Sequence, residues 1–146
     1  MIAAQTIDYQ VEPTLSVVEF REVLISSGLG ERRPVDNWAR LEAMIQCANL
    51  LVTARRSGVL VGVARSLTDF SFATYLSDLA VDRAFQKQGI GKELIRRTKL
   101  VVPHTKLILL AAPAAIHYYG HVGMKRHEHC YWLDNDQNLS GPTSPI

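Results

Sequence analysis

At 146 residues, with 47% hydrophobic and 21% charged side chains, the chain has the length and balance of one globular domain around one sizeable core. A formal net charge of +2 excludes a nucleic-acid protein that works by bulk charge, so only a clustered basic face would serve that purpose. No apolar run is long enough to span a membrane, "MIAAQTIDYQ" lacks the pattern of a signal peptide, and Cys47 and Cys130 form no CxxC motif. The cysteines read as reduced thiols, with a disulfide as the other state they allow, and the setting expected is the cytoplasm.

Ile7 to Glu12 alternates loosely and predicts a first strand ending at Pro13. In "TLSVVEFREVLISSG", Val17, Phe20, Val23 and Leu24 share one helical face, with Thr14 as the expected cap and Gly28 as the stop. "LGERRPVDN" is a polar loop, and Asp36 or Asn37 caps a second helix that places Trp38, Leu41, Met44, Ile45 and Ala48 in register. The period then changes. "NLLVTARR" and "GVLVGVARSL" are β-type runs joined by a hairpin signal at Ser57-Gly58, and "ATYLSDLAVD" is a third.

From Gly89 to Val102 the helical period returns. Ile90, Leu94, Ile95, Thr98 and Val101 lie on one face, with Lys92, Glu93, Arg96, Arg97 and Lys99 outward, and Pro103 as terminator. "TKLILLAA" predicts a strand covered on both faces. "AAIHYYGHVG" predicts a short helix closed by Gly123, and "HEHCYWL" a last strand. Antiparallel hairpins plus one strand–helix–strand crossover imply a mixed α/β fold, its largely antiparallel central sheet flanked by helices on both faces. No repeat or linker divides the chain, so 1–146 reads as a single domain with 134–146 a flexible C-terminal tail.

The sharpest local signal is "QKQGIGK", residues 86–92, between a strand and a helix. A helix start offers unpaired N–H groups and the positive end of a dipole, and glycines let an anion approach them. The plain alternative is a turn with a helix cap. A P-loop requires Ser or Thr after Gly91-Lys92, where Glu93 stands, and a dinucleotide fingerprint requires glycine at Leu94; both fail.

The spacing of Gln86, Gly89 and Gly91 resembles the [QR]-x-x-G-x-[GA] pyrophosphate loop of the GNAT acyltransferase superfamily. The preceding "LAVD" is similar to that family's fourth strand. A second family pattern, N-x-x-A-x-x-[FL]-Y-x-x-x-G-F, is matched by Ala115, Tyr119 and Gly123, with departures at Ala112, Tyr118 and Met124. The resemblance covers roughly residues 5 to 133. It implies a GNAT-like acyl-CoA acyltransferase fold and transfer of an acetyl group from acetyl-CoA to an amine acceptor.

The resemblance also implies roles. Gln86, Lys87, Gln88, Gly89, Ile90, Gly91 and Lys92 would hold the pyrophosphate. Backbone N–H groups near Leu79, Ala80 and Val81, freed by a splay of the fourth strand, would face the thioester oxygen. Ala112 and Ala115 complete the cofactor set, Ala112 replacing the family's asparagine and its hydrogen bond. Tyr119 stands at the family's general acid, the alternative being an aromatic packing contact. The family's usual glutamate base is Ser77 here, which leaves Asp78, turned to the other face unless the splay rotates it, or a water chain. Many relatives pair as dimers, so a homodimer is an expected partner. Arg32 and Arg33 in the first loop offer charge to an acidic acceptor and Trp38 a surface for an aromatic one, against the alternative of a solvated loop with Trp38 in the core.

Three rival readings remain at this stage. His117 and His121, four apart, with His127, His129 and Cys130, would suit a metal, but no HExxH glutamate is present, and no native metal is expected. Lys92, Arg96, Arg97 and Lys99 would suit nucleic acid, but Glu93 interrupts them and neither nucleic acid nor membrane is expected as a partner. A non-catalytic CoA-binding regulator would keep the fold without the activity.

Overall fold

The computed structural model describes residues 6–139 and 141. The expected absence of a leader at residues 1–5 and part of the expected 134–146 tail therefore lie outside the described residues. The backbone divides into two compact units, residues 1–110 and 111–146.

The first unit is built on strands β1 (Ile7–Val11), β2 (Leu50–Arg56), β3 (Val59–Thr68), β4 (Ala73–Val81) and β5 (Lys106–Ile108), hydrogen-bonded in that order. The first three junctions are antiparallel and the β4–β5 junction is parallel. The β2–β3 turn is the expected two-residue hairpin, with Ser57 at φ 50° and Gly58 at φ 81°. Two positive φ values define the turn whose twist matches the flanking strands.

Helices α1 (Val17–Ser27) and α2 (Trp38–Cys47) cover one face of the sheet. Phe20, Val23, Leu24, Leu41 and Ile45 pack there against Leu51, Val63 and Ala80. Helix α3 (Ile90–Val101) covers the other face, where Ile90 and Leu94 pack against Val52, Ala54, Val61 and Ala64. Helices therefore lie on both faces, as the sequence implies.

At the helix ends some sequence expectations hold and others give way, each for a local reason. Ser16, not Thr14, caps α1 by accepting from Glu19 N–H, because the helix begins at Val17, the first residue of the apolar face, which makes Ser16 the residue immediately before it. Asn37, one of the two expected caps, is the one that caps α2, accepting from Arg40 N–H. Gly28 stops α1 at φ 88°, and a Cβ there would lie 2.6 Å from Arg83 Nη2, so both conformation and space favour glycine. Trp38 is 48% exposed at the first position of α2, under the Arg21 guanidinium at 5.1 Å, and is not a core residue. At the end of α3 the chain leaves helical geometry at Val102, so Val102 is buried and Val101 turns outward.

Strand β5 is much shorter than "TKLILLAA" suggests, and its residues alternate between exposed and half-buried. It is not covered on both faces. In the second unit, a 3-10 turn at Pro113–Ala115 and a one-turn helix α4 (Tyr118–His121) replace the expected longer helix, and Gly123 follows at φ 100°. The segment 127–133 forms no strand: Tyr131, Trp132 and Leu133 are exposed, and consecutive large side chains on both sides of a backbone do not by themselves supply a pairing partner. A further 3-10 turn spans Gln137–Leu139. Among the described residues, no helix is long and apolar enough to cross a membrane.

Candidate active site

Strand β4 pairs with β5 only from Ala73–Lys106 to Tyr75–Ile108. Beyond Tyr75 it continues to Val81 bonded to β3 alone, so the two parallel strands part after the third of the nine residues of β4. Asp82 N–H donates to Val61 C=O at 2.9 Å on the β3 side. Antiparallel alternation from that bond turns the Ala80 and Asp78 amides into the β3 ladder and the Leu79 and Val81 amides toward the open edge. Of the three residues expected to present N–H groups, this geometry favours Leu79 and Val81, with Ala80 engaged in the sheet.

The β3–β4 ladder contains an irregularity: Ser66 faces Leu76 while Arg65 faces Asp78, so Ser77 is an extra residue on β4. A bulge shifts the alternation by one. Leu76 accordingly packs on the α3 face, whereas Ala80 packs on the α1–α2 face. The same shift turns Asp78 toward the α1–α2 face, where it is fully buried. Here Arg33 Nε donates to Asp78 Oδ1 at 2.5 Å, and Arg65 Nε donates to Asp78 Oδ2. Arg33 Nη2 also donates to Ser77 C=O at 2.9 Å, Arg65 Nη2 to Ser77 Oγ at 2.9 Å, and Arg65 Nη1 to Met44 C=O at 3.1 Å.

This arrangement corrects two expectations. A general base needs a free lone pair within reach of the proton it takes. Asp78 is 0% exposed and both its oxygens are engaged by guanidiniums, so it does not fit that role. Arg33 is committed to Asp78 and is not available to receive an acidic acceptor, whereas Arg32 is exposed. The signal for this cluster was in the sequence: Arg65 and Asp78 each interrupt an apolar run on different strands, and opposite charges inside buried strands must be paired.

At the end of β4 a 3-10 turn, Arg83–Phe85, is capped by Asp82 and leads to the glycine loop. Gln86 Nε2 donates to Val81 C=O at 2.8 Å and to Ser27 C=O at 3.2 Å. The glutamine thus ties the loop to the end of β4 and to the end of α1, shaping the loop through its own contacts. Lys87 lies at φ 65° and Gly89 at φ 85°, two left-handed residues immediately before α3. Such alternation turns successive N–H groups toward one point. Helix α3 has no side-chain N-cap, and the space where a Gly89 Cβ would sit is open. Gly91 is buried in the first turn, and Lys87, Gln88 and Lys92 are exposed around it. An uncapped twelve-residue helix, two left-handed residues and open space above the loop suit a diphosphate held by backbone N–H groups.

In the second unit Tyr118 and Tyr119 lie edge to face, with ring centroids 5.2 Å apart. Burial pushes the Tyr118 hydroxyl above the usual tyrosine range. Tyr119 is half-buried, as are Ala112 just before the 3-10 turn and Ala115 at its end. His117 and His121 are exposed, and the His127 and His129 rings stand edge to face at 5.6 Å, with His127 Nδ1 accepting from His129 N–H. Among the described residues, no group of three or more His, Cys, Asp or Glu gathers to hold a metal ion.

Comparison with known proteins bears on this geometry. An uncharacterised N-acetyltransferase of Gracilaria tenuistipitata is 30% identical over 80 residues, 52% of this chain and 43% of that protein, so the match spans less than half of that relative. A GNAT-family acetyltransferase of Streptococcus pneumoniae superposes with a TM-score of 0.73 at 16% identity, over 88% of this chain and 98% of that one. An aminoglycoside N-acetyltransferase in complex with CoA superposes with a TM-score of 0.68 at 15% identity, over 92% and 98%. The family described as the acetyltransferase (GNAT) domain matches residues 32–131, and the chain belongs to that family.

Proposed function

We propose that the chain is an N-acetyltransferase that moves an acetyl group from acetyl-CoA to an amine by direct attack in a ternary complex. The parting of β4 from β5 beside the uncapped start of α3 carries this reading, because it sets an anion site next to unpaired strand amides. The CoA complex of a neighbour with the same fold supports the choice of cofactor.

In this reading the N–H groups from Gly89 to Lys92, with the Lys87 and Lys92 ammoniums, hold the pyrophosphate. The Leu79 and Val81 amides point where the thioester oxygen gains charge, and being backbone they need no particular side chain. An amine with a pKa of about 10 arrives charged and loses a proton, to water in this assignment, before its nitrogen attacks the acetyl carbon. The C–S bond breaks, the new amide nitrogen gives up its second proton to water, and Tyr119 donates its proton to the departing sulfur and is restored by solvent. Ala112 and Ala115 contribute small surfaces to the cofactor, without the hydrogen bond that an asparagine would add at Ala112. The exposed, unpaired Cys47 and Cys130 fit a reducing cytoplasm, and a homodimer completes the reading.

The test is calorimetry with acetyl-CoA, followed by release of free thiol with a panel of amines. Binding with acetyl transfer to an amine is the expected result. Binding without transfer to any amine would make the protein a CoA-binding regulator, and absence of binding would remove the reading. Sedimentation at micromolar concentration reads the oligomeric state.

A further inference from the structure

The contacts around Ser77 and Asp78 have a consequence for how the site is held. A bulge leaves one residue out of the ladder, so the direction of the strand beyond it is less constrained than in a regular pair. Here the two bulge residues are gripped by two guanidiniums from different places. Arg65 reaches across from β3, is 5% exposed, and is itself tied to Met44 C=O on α2. Arg33 comes from the irregular connection between α1 and α2, after a 3-10 turn at Leu29–Arg32, and its side chain is 22% exposed. Each guanidinium spans both bulge residues, Arg33 through Asp78 Oδ1 and Ser77 C=O, Arg65 through Asp78 Oδ2 and Ser77 Oγ.

We infer that Arg33, Arg65 and Asp78 are positioning residues: a two-guanidinium clamp that fixes the bulge and thereby aims the Leu79 and Val81 amides that follow it. For its catalytic consequence the inference rests on the acetyltransferase reading above. A fork is needed because a guanidinium binds two acceptors at once in a fixed plane, which an ammonium does not. Arg65 is integral to the sheet. Arg33 is the separable half, because it comes from a connection and is partly exposed, and it couples residues 28–37 to the active strand.

Two readouts test the clamp, one of which is independent of activity. Amide hydrogen exchange in the ligand-free protein should quicken across residues 76–82 in Arg33→Ala, while the β2–β3 hairpin keeps its protection. Arg33→Lys should restore the charge but only part of the protection. In the transfer assay, Arg33→Ala should lower kcat by about tenfold to a hundredfold, the scale of a small misplacement of a reacting group, with KM for acetyl-CoA unchanged. Asp78→Asn keeps the shape of the side chain, so a positioning role predicts a lower kcat with an unaltered pH–rate profile, whereas a general base predicts loss of the acidic limb.

If Arg33→Ala leaves exchange at 76–82 unchanged, the clamp is refuted even should Asp78→Asn fail to fold. Loss of the acidic limb in Asp78→Asn with a silent Arg33→Ala also overturns it and returns Asp78 to the base. A wild-type protein that binds no acetyl-CoA refutes the acetyltransferase reading instead, and the exchange comparison still decides the clamp.

Discussion

The β2–β3 hairpin and the β4–β5 pair come from comparably apolar runs, yet they end in opposite conditions. In the hairpin, pairing runs from Leu50–Ser66 to Arg56–Val59, and residues 50–54 and 60–66 are buried. In the other pair, contact ends at Tyr75–Ile108 and the remainder of β4 has one bonded edge. The hairpin is covered by α1 and α2 on one face and α3 on the other, so the side chains of its central stretch find a layer to enter on either face. On the β4–β5 side, Tyr75 and Ile108 remain 39% and 45% exposed. The first pair is bonded along its length, and the second leaves the far half of β4 bonded on one edge only, where the acetyltransferase reading places the thioester. Substitutions in the first should move stability with little effect on chemistry per folded molecule, and substitutions around the second should do the reverse.

Leu94→Ala is the strongest test of the first half. Leu94 is fully buried on α3, and a Cβ at Gly62 on β3 would lie only 3.2 Å from its Cδ1, which shows how closely helix and hairpin pack. Truncation should cost about 2–5 kcal/mol, read as a Tm drop on the order of 10 °C. Acetyl-CoA affinity measured well below Tm should hold. A large loss of affinity in the cold, folded variant would mean that the two halves are not separable.

Tyr119→Phe makes the opposite prediction. It keeps the ring and the edge-to-face contact with Tyr118, so Tm and cofactor affinity should barely change. Turnover should fall by about a hundredfold, the usual cost of losing a general acid. Near-normal turnover with a good acceptor would reduce Tyr119 to packing. Tyr118→Phe is the control and should be almost silent.

Gly89→Glu tests the anion site with a smaller expected effect. Any side chain at φ 85° is strained, so Gly89→Ala is the necessary partner variant. Both should lose about 1 kcal/mol of stability. The glutamate variant alone should bind acetyl-CoA about tenfold more weakly than the alanine variant, through like-charge repulsion at the helix start. Equal affinities would move the pyrophosphate away from α3.

The contrast between the halves also explains what was legible in the sequence. The order of elements from β1 to α4, the Ser57-Gly58 hairpin and the start of α3 follow from local rules of period, turn and cap, and the structure contains all three, whereas the last strand expected at 127–133 is absent. The early end of β5 was hidden because a short apolar run does not say where its partner diverges. Trp38 was misplaced because periodicity puts the first residue of a helix in register, although the chain is still approaching the core there. The Arg33–Asp78 link joins residues 45 apart in sequence, beyond any local pattern. Only the two charges inside apolar strands announced that something had to pair, and the bulge at Ser77, which decides the face Asp78 takes, left no composition signal of its own.

The smallest effect concerns the seam that joins α3 to the paired half of the sheet. Glu93 accepts from Arg96 at 2.6 and 2.8 Å and from Arg97 at 2.8 Å, and the Arg97 guanidinium lies 4.7 Å from the centre of the Tyr9 ring on β1. The hydrogen bonds from Arg96, then those from Arg97, pull the Glu93 carboxyl down from 4.5 to about 2. A carboxylate with a depressed folded pKa contributes stability above its unfolded pKa and loses it as pH falls through the folded value. The contribution should therefore be complete above about pH 4.5 and gone below about pH 2. Because the pair is largely solvent-screened, Glu93→Gln should lower Tm at pH 7 by only about 1–3 °C. Melting both proteins from pH 7 to pH 2 should show the gap hold, then close across that window, and raised salt should narrow it at pH 7. A gap that widens on acidification would mean that the carboxylate is repelled at this seam rather than held, and Arg97 would then reach Tyr9 without its help.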